Sequence, residues 1–114
     1  MTAPVHKELA QGRWFAFSVS EQLGNVGSEF ERAARAFRRG DTERFEKAFE
    51  RMLELIDLTT EDPKWRRPRR LRELRRLREE VCDVFHGGEI FGTSIETLQR
   101  NFLYFAIAAR VTAR

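Results

Sequence analysis

The sequence is poor in the residues that build disulfide frameworks, metal sites and membrane spans. Its 114 residues include one cysteine and two histidines, which exclude an internal disulfide and give no recognised zinc-ligand spacing. We expect the single cysteine, Cys82, to serve in packing rather than as a nucleophile. The longest apolar run, residues 102–109, is too short to cross a bilayer, and the first residues lack the apolar centre of a secretory signal. These absences predict a cytoplasmic protein with no membrane association.

Charge is unevenly distributed along the chain. The formal net charge is only +3, yet residues 64–78 contain nine lysine or arginine residues against one acid, Glu73. This segment therefore carries about +8, and the rest of the chain carries about −5. The sequence thus predicts a polarised molecule with one strongly cationic segment.

Apolar residues recur at helical spacing in the first half of the chain. Steps of four and three residues lead from Val19 to Phe37, which predicts a helix that continues to about Arg39 and stops at Gly40. A second apolar face follows an expected N-cap at Asp41 and ends near residue 59. The loop between these helices is short, so we expect them to lie antiparallel. The residues predicted to face the core here are Val19, Leu23, Val26, Phe30, Ala33, Phe37, Phe45, Phe49, Met52 and Ile56.

The second half of the chain predicts two further helices. Pro63 predicts a short turn and Pro68 the start of a third helix, which Gly87 and Gly88 end. The Thr-Ser-Ile-Glu sequence at residues 93–96 has capping-box spacing and predicts the start of a fourth helix. The inward-facing residues are Leu71, Leu74, Leu77, Val81, Val84, Phe85, Ile95, Leu98, Phe102, Phe105 and Ala109. We therefore predict one all-α domain over residues 1–114, an antiparallel four-helix bundle, with residues 1–13 as a mobile amino-terminal segment.

Two features bear on how the helices pack. Gly24 and Gly27 interrupt the first helix at a cost of about 0.5–1 kcal/mol each relative to alanine, so another helix is expected to approach them closely. Packing inside the bundle is the leading interpretation, with a dimer contact, a ligand pocket or a local helix break as alternatives. The fourth helix is apolar over much of its circumference, which indicates that it is central or covered by a second chain. We favour a homodimer.

The arginine-rich segment is the main candidate for a binding surface. A solvated charged face is the usual role of such a helix, and three pairs at i,i+4 spacing fit that role: Arg69 with Glu73, Arg75 with Glu79, and Arg76 with Glu80. Arginine is also well suited to phosphate contact, and a neighbouring tryptophan is a candidate stacking platform. The predicted nucleic-acid surface is Trp65, Arg66, Arg67, Arg69, Arg70, Arg72 and Arg76. The expected partner is RNA or an acidic protein.

The stretch Arg-Glu-Glu-Val-Cys-Asp at residues 78–83 carries a family resemblance. An arginine followed five residues later by a polar group, near the end of the third of four helices, resembles the HEPN superfamily of small helical bundles. Many members are RNA-cutting toxins of toxin–antitoxin systems, and the resemblance implies an up-and-down topology, a dimer and a site containing Arg78. Asp83 stands where the family has histidine, and His86 lies three residues beyond it. An aspartate supplies no neutral imidazole to take a proton near neutral pH.

We therefore expect a binding protein, a non-catalytic HEPN-like module that binds RNA or is associated with a toxin–antitoxin system. Metal-independent RNA cleavage through Arg78, Asp83 and His86 is an alternative. A purely protein-interacting module is another. In all three interpretations, no cofactor and no metal are expected.

A second resemblance gives an alternative that does need a metal. Residues 79–85 are similar to a stretch of MazG-type all-helical nucleotide pyrophosphohydrolases, which hold magnesium with an ExxE pair and a later ExxD pair. The resemblance implies Mg²⁺ bound by Glu43, Glu46, Glu80 and Asp83, with Glu54 and Asp57 as a rival ExxD pair. Clustered carboxylates of this kind suit a hard Mg²⁺ ion.

Overall fold

The computed structural model describes residues 12–112, in which helices joined by short turns and loops are the only regular secondary structure and no strand occurs. Its four α-helices are α1 (Val19–Arg39), α2 (Thr42–Thr60), α3 (Pro68–Val84) and α4 (Ile95–Thr112). Two short 3-10 helices, Arg13–Ala16 and Pro63–Trp65, precede α1 and α3. The predictions of an all-α four-helix fold, of a turn at Pro63 and of a helix starting at Pro68 are confirmed. In the described residues, no helix has the length and hydrophobicity needed to cross a membrane.

Local side-chain chemistry sets the ends of α1 and the start of α2. Ser18 begins α1 with a capping box, in which its Oγ accepts a hydrogen bond from Glu21 N at 3.1 Å while Glu21 Oε1 accepts one from Ser18 N at 3.0 Å. Gly40 ends α1 in the left-handed region, at φ 71°. Asp41 then caps α2 by accepting from Arg44 N at 3.2 Å. The predicted boundary at Gly40 and Asp41 is confirmed, whereas the cap at Ser18 was not predicted.

The start of α4 lies one residue later than the predicted capping box. Ser94 Oγ, not the Thr93 side chain, accepts a hydrogen bond from the amide of Thr97 at 3.1 Å. Both residues are of the types that cap helices, so the sequence pattern alone does not choose between them. Glu96, the predicted partner of Thr93, instead accepts from Arg38 of α1 at 2.8 Å.

Helix α1 is the centre of the fold, because it packs along α2 on one side and along α4 on the other. The short connection between α1 and α2 makes this pair an antiparallel hairpin. On the other side, Arg38 near the end of α1 meets Glu96 near the start of α4, while Gly24 lies against Ala106. This order of contacts shows that α1 and α4 are also antiparallel.

Helix α3 packs against α2. Arg78 in α3 meets Asp57 near the end of α2, and Phe85, just after α3, meets Phe45 near the start of α2. These two helices therefore run antiparallel as well, as an antiparallel bundle requires. The HEPN-like form of this topology stays a prediction.

A cluster of phenylalanine rings around Phe85 lies at one side of the core. The centroid of the Phe85 ring lies 5.0–5.9 Å from those of four other phenylalanine rings, which belong to α1 and α2: Phe30, Phe37, Phe45 and Phe49. Tilted and edge-to-face arrangements of this kind are favourable beyond the area that they bury. Phe37 and Phe105 were predicted to face the core, but they are 45% and 36% exposed, so the prediction was wrong for these two residues.

Gly27 of α1 allows α4 to approach closely. A Cβ atom added at Gly27 would lie 2.6 Å from Phe102 Cβ, whereas one added at Gly24 would lie at an ordinary 3.5 Å from Ala106 Cα. The interpretation of tight packing inside the bundle is therefore confirmed at Gly27, and α4 of the same chain lies against both glycines.

A buried polar network ties the start of the described chain to the helices. The Gln22 amide donates to Asp62 Oδ2 at 2.7 Å and to Trp14 O at 3.2 Å, and its oxygen accepts from Trp65 Nε1 at 2.8 Å. Trp14 Nε1 donates to Thr59 Oγ1 at 2.9 Å. Every donor and acceptor named here has a partner, as burial of polar groups requires.

The mobile amino-terminal segment predicted for residues 1–13 falls mostly outside the described residues. Gly12 and Arg13, however, form a turn and the start of a 3-10 helix, and the adjacent Trp14 is only 1% exposed. The buried Trp14 side chain thus ties residues 12 and 13 to the helices. Mobility of the amino-terminal segment stays a prediction.

Helix α4 leaves one apolar face uncovered by the described part of its own chain. Four large apolar side chains on this face are exposed: Leu103, Tyr104, Ile107 and Val111. The sequence predicted that α4 is either central or covered by a second chain. The central position belongs to α1, so any cover of this face comes from outside the described residues.

Candidate functional site

A surface pocket of about 590 Å³ lies along α3 and is lined mainly by arginine. Its basic residues are Arg66, Arg72, Arg75 and Arg76, with Glu79 and Phe91 among the others. Three of the four arginines belong to the predicted nucleic-acid surface. Helical spacing brings Arg72, Arg75 and Arg76 together, because steps of three and four residues return to the same side of a helix, whereas Arg66 comes from the turn before α3.

Most of the positive charge in this arginine pocket is not neutralised by the protein itself. Among the described residues, Arg66, Arg72 and Arg75 form no ion pair. The predicted pairing of Arg75 with Glu79 is therefore absent, whereas Arg76 Nε does pair with Glu80 at 2.9 Å. The pocket thus offers at least three guanidinium groups to a ligand that carries negative charge.

Arg76 has an aromatic neighbour that the sequence did not reveal. Its guanidinium carbon lies 5.4 Å from the centroid of the Phe91 ring, within the range of a cation–π contact. The Arg76 side chain is nevertheless 66% exposed. Phe91 lies fifteen residues further along, after two glycines with positive φ, so no local periodicity connects the two residues.

Asp83 holds the loop segment that carries Phe91. Its carboxylate accepts hydrogen bonds from Ile90 N at 3.3 Å and from Phe91 N at 3.1 Å, and its carbonyl oxygen accepts one from Gly88 N at 3.0 Å. The residue is 8% exposed. Asp83 therefore organises the connection between α3 and α4 and fixes the position of Phe91.

Trp65, predicted as an exposed stacking platform, is buried, and this prediction was wrong. It is 4% exposed, its indole N–H donates to Gln22, and its ring belongs to the core. The Pro63–Trp65 turn explains this placement, because Asp62 caps the turn through Lys64 N at 2.9 Å and directs the following ring inward. A base cannot stack on a ring that the core already covers.

The other predicted basic residues are exposed but lie outside the arginine pocket. Arg67 occupies the N-cap position of α3, Arg70 donates to the Lys64 carbonyl at 3.1 Å, and Arg69 approaches Glu73 at 3.5 Å. Ion pairs this exposed contribute little to stability. These arginines extend the positive surface without converging on one point.

The three residues proposed for catalysis are not assembled into one site. Arg78 forms a two-pronged contact with Asp57 of α2, with N–O distances of 2.8 Å and 3.4 Å, and this contact raises the pKa of its guanidinium. Asp83 faces backbone amides of the loop. His86 is exposed, with Nδ1 at 2.6 Å from the carbonyl oxygen of Cys82. Each of the three side chains thus has its own partner.

The carboxylates expected to hold magnesium are not gathered. No group of three or more histidine, cysteine, aspartate or glutamate side chains in residues 12–112 is placed to share an ion. Glu80 is paired with Arg76, and Asp83 is committed to the loop. Cys82 is partly buried, and burial raises the pKa of its thiol although Arg78 acts in the opposite direction, which disfavours the nucleophilic thiolate.

A second cationic groove, which the sequence analysis missed, lies between α1 and α2. It has a volume of about 400 Å³, and its basic lining residues are Arg32, Arg35, Arg39, Arg44, Lys47 and Arg51. On each helix these basic residues are spaced by three and four positions, which places them on one side. The same spacing in the sequence could therefore have indicated the groove.

Carboxylates neutralise most of this second groove. The nearly buried Glu29 side chain accepts from Arg32 at 2.8 Å and from Arg51 at 3.3 Å. The remaining pairs join Arg35 to Glu31, Arg44 to Asp41 and Lys47 to Glu43. Only Arg39 of the six forms no ion pair with a described residue. The arginine pocket of α3 is therefore the better site for an anionic ligand.

Comparisons of the chain with protein-family models, with curated proteins and with solved structures found no match. The resemblance to the HEPN superfamily accordingly stays a prediction made from residues 78–83 and the helix plan. Inferences about function rest on the surface that the described residues form.

Proposed function

We propose that this protein binds RNA through the arginine pocket of α3 and does not cleave it. One observation carries the proposal: Arg66, Arg72 and Arg75 line one pocket, and no carboxylate of the described chain pairs with them. Solvated arginines with free donor forks are suited to the phosphate oxygens of a nucleic-acid backbone.

RNA is favoured over an acidic protein by the aromatic ring within the cationic site. Phosphate contacts alone would suit any polyanion, but Phe91 and the guanidinium above it add a flat surface beside the phosphate-binding groups. Bases stack on such a surface, whereas carboxylate side chains do not. We therefore place the protein in the cytoplasm, where RNA is abundant.

A binding role rather than a catalytic one follows from the partners of the candidate catalytic residues. Removal of the ribose hydroxyl proton needs a base that faces solvent and is free to titrate near neutral pH. Asp83 is buried against two amides, and Arg78 is held by Asp57. Neither side chain is available as that base. The exposed His86, whose Nδ1 lies 2.6 Å from the Cys82 carbonyl oxygen, does not line the arginine pocket.

Fluorescence anisotropy with a labelled RNA of about 12 nucleotides tests the proposal. If three arginines each neutralise a phosphate, the slope of log K against log salt concentration should be about −2 for a single strand. Arg72→Glu should weaken binding about tenfold or more and make this slope shallower.

Arg39→Glu is the matched control, because Arg39 is also exposed and without an ion pair among the described residues but lies in the α1–α2 groove. It should change affinity by less than about threefold at physiological salt, where distant charges are screened. Salt-insensitive binding, or equal losses in the two variants, would contradict the proposal. Co-purification with a defined acidic protein, in the absence of any RNA binding, would contradict it as well.

We also infer that a second copy of the chain covers the exposed face of α4. Leu103, Ile107 and Val111 follow one another at four-residue intervals on this face. In an antiparallel pairing with its two-fold axis at Leu103, Glu96 of one copy, which also pairs with Arg38 of its own chain, lies opposite Arg110 of the other, so opposite charges meet at each end of the interface. A homodimer and a monomer differ twofold in mass, which light scattering measures.

A further inference from the structure

We propose that the guanidinium group of Arg76 is a stacking platform for an unpaired base, which makes single-stranded RNA the ligand of the arginine pocket. This inference rests on the proposed RNA-binding function and specifies the kind of RNA. It replaces the buried Trp65, which cannot perform this role, with an arginine supported by Phe91.

Phe91 and Glu80 hold the Arg76 side chain in place, and the rest of the side chain is open to solvent. The Phe91 ring lies 5.4 Å from its guanidinium carbon, and Glu80 accepts a hydrogen bond from its Nε at 2.9 Å. The Glu80 side chain is itself only 17% exposed, so this carboxylate is a fixed partner. Two thirds of the Arg76 side chain remains exposed, which leaves the group accessible on the side away from Phe91.

The surroundings suit a nucleotide rather than an isolated anion. Arg72 and Arg75 precede Arg76 on the same helix and line the same pocket, so phosphate-binding groups lie next to the proposed platform. A guanidinium plane stacks on a base, and adjacent arginines pair with the phosphates on either side of it. In a duplex the bases are already stacked on one another, so only an unpaired base can use Arg76.

Asp83 is a positioning residue in this scheme. It touches no ligand, but its carboxylate holds the amides of Ile90 and Phe91 and so places the ring against Arg76. Loss of the carboxylate should release Phe91 and leave Arg76 supported by Glu80 alone. The role of Asp83 is therefore to preorganise the platform before RNA arrives.

A single-stranded RNA containing one 2-aminopurine, and a duplex of equal length, are the probes for this inference. Stacking on Arg76 should quench 2-aminopurine emission when the single strand binds. Arg76→Lys retains the charge but removes the plane, so affinity for the single strand should fall about tenfold and the quenching should disappear. Affinity for the duplex and the salt slope should stay unchanged, because the charge is retained.

Arg72→Lys is the matched control, because Arg72 lines the same pocket but has no ring contact or ion pair among the described residues. It should leave both the quenching and the preference for single strands intact. Phe91→Leu should partly reduce the affinity for the single strand and the quenching, as Arg76→Lys does. Phe91→Tyr keeps the aromatic ring and should bind and quench like the wild type. Asp83→Ala should resemble Phe91→Leu, and Asp83→Asn, which keeps one acceptor oxygen, should rescue the quenching in part.

Failure of this inference is distinguishable from failure of RNA binding itself. If Arg72→Glu abolishes RNA binding while Arg76→Lys behaves like Arg72→Lys, RNA binding stands and the stacking role of Arg76 is overturned. The role is also overturned if the wild-type protein binds both probes equally, or if emission is unchanged on binding. If the wild-type protein binds neither probe, both proposals fall together.

Discussion

Asp83 Oδ2 accepts a hydrogen bond from the amide of Phe91 at 3.1 Å, and this contact links the last turn of α3 to the loop before α4. The aspartate at this position thus has a structural task of its own. Burial raises the pKa of the neighbouring Cys82 thiol, which favours its neutral form.

Replacement of Asp83 by alanine is predicted to destabilise the fold. The change removes two part-buried hydrogen bonds from the amides of Ile90 and Phe91 to a carboxylate, and hydrogen bonds to charged groups contribute about 1.5–3 kcal/mol. Urea denaturation measures the free energy of unfolding, and hydrogen exchange should be faster at these two amides. Glu79→Ala is a control on the exposed side of α3 and should change stability by less than about 0.5 kcal/mol. Unchanged exchange at Ile90 and Phe91 in Asp83→Ala would refute this account of the loop.

The two glycines of α1 are predicted to respond oppositely to alanine. Gly27→Ala places a Cβ 2.6 Å from Phe102 Cβ, which cannot rotate away, so overpacking should destabilise the protein by about 1–3 kcal/mol despite a better helix propensity. At Gly24→Ala the new atom meets Ala106 at an ordinary 3.5 Å, and the propensity gain of about 0.5–1 kcal/mol should appear as added stability. Thermal or urea unfolding of both variants measures these shifts, and equal shifts would contradict the close approach of α4 at Gly27.

Stability is predicted to fall in acid through Asp62. Burial alone would raise the pKa of this carboxyl, but hydrogen bonds from Lys64 and Gln22 together lower its pKa below the ordinary 3.8. A lowered pKa in the folded state means that the contribution is complete above the unfolded value and is lost as pH falls from there toward the folded value. The stability difference between the wild type and Asp62→Asn should therefore be constant from pH 7 to about 5 and shrink below about pH 4. Urea titrations across this range test it, and a difference independent of pH would exclude the ionised Asp62.

Self-association is predicted to depend on the exposed face of α4. Ile107→Glu places a charge within the proposed interface, one turn from the two-fold axis at Leu103, and should convert a dimer to a monomer, as seen in the mass from light scattering. Ile90→Glu is the matched control, because Ile90 is 79% exposed but lies in the loop before α4. It should leave the mass unchanged. A wild-type protein that is monomeric at high concentration would end the dimer proposal.

The sequence predicts the helices well, because their signals are local. The apolar period, Gly40, Asp41 and Pro68 each act within a few residues, and each was placed correctly. The error of one residue at Ser94 arises where two capping residues are adjacent. Gln22 in α1 could have been recognised as a buried polar residue, because it shares the helical line of the buried Val26.

The candidate site was only partly predictable, because its key contacts join distant segments. Arg66, Arg72 and Arg76 were found from charge density, which is a local property. Trp65 was misjudged because composition does not show on which side of a turn a ring lies. The contact of Arg76 with Phe91 depends on the path of the loop between α3 and α4. Asp83 and three glycines with positive φ determine this path, which sequence periodicity does not predict.

The position of Phe85 has a consequence for how the chain acquires its structure. Its ring touches rings from both α1 and α2, although it is separated from Phe30 by more than fifty residues. A fragment that stops before α3 would therefore lack the ring that joins Phe30 of α1 to Phe45 of α2 and would expose both. Folding and unfolding of the described helices should be a cooperative, all-or-none event in which no half survives alone.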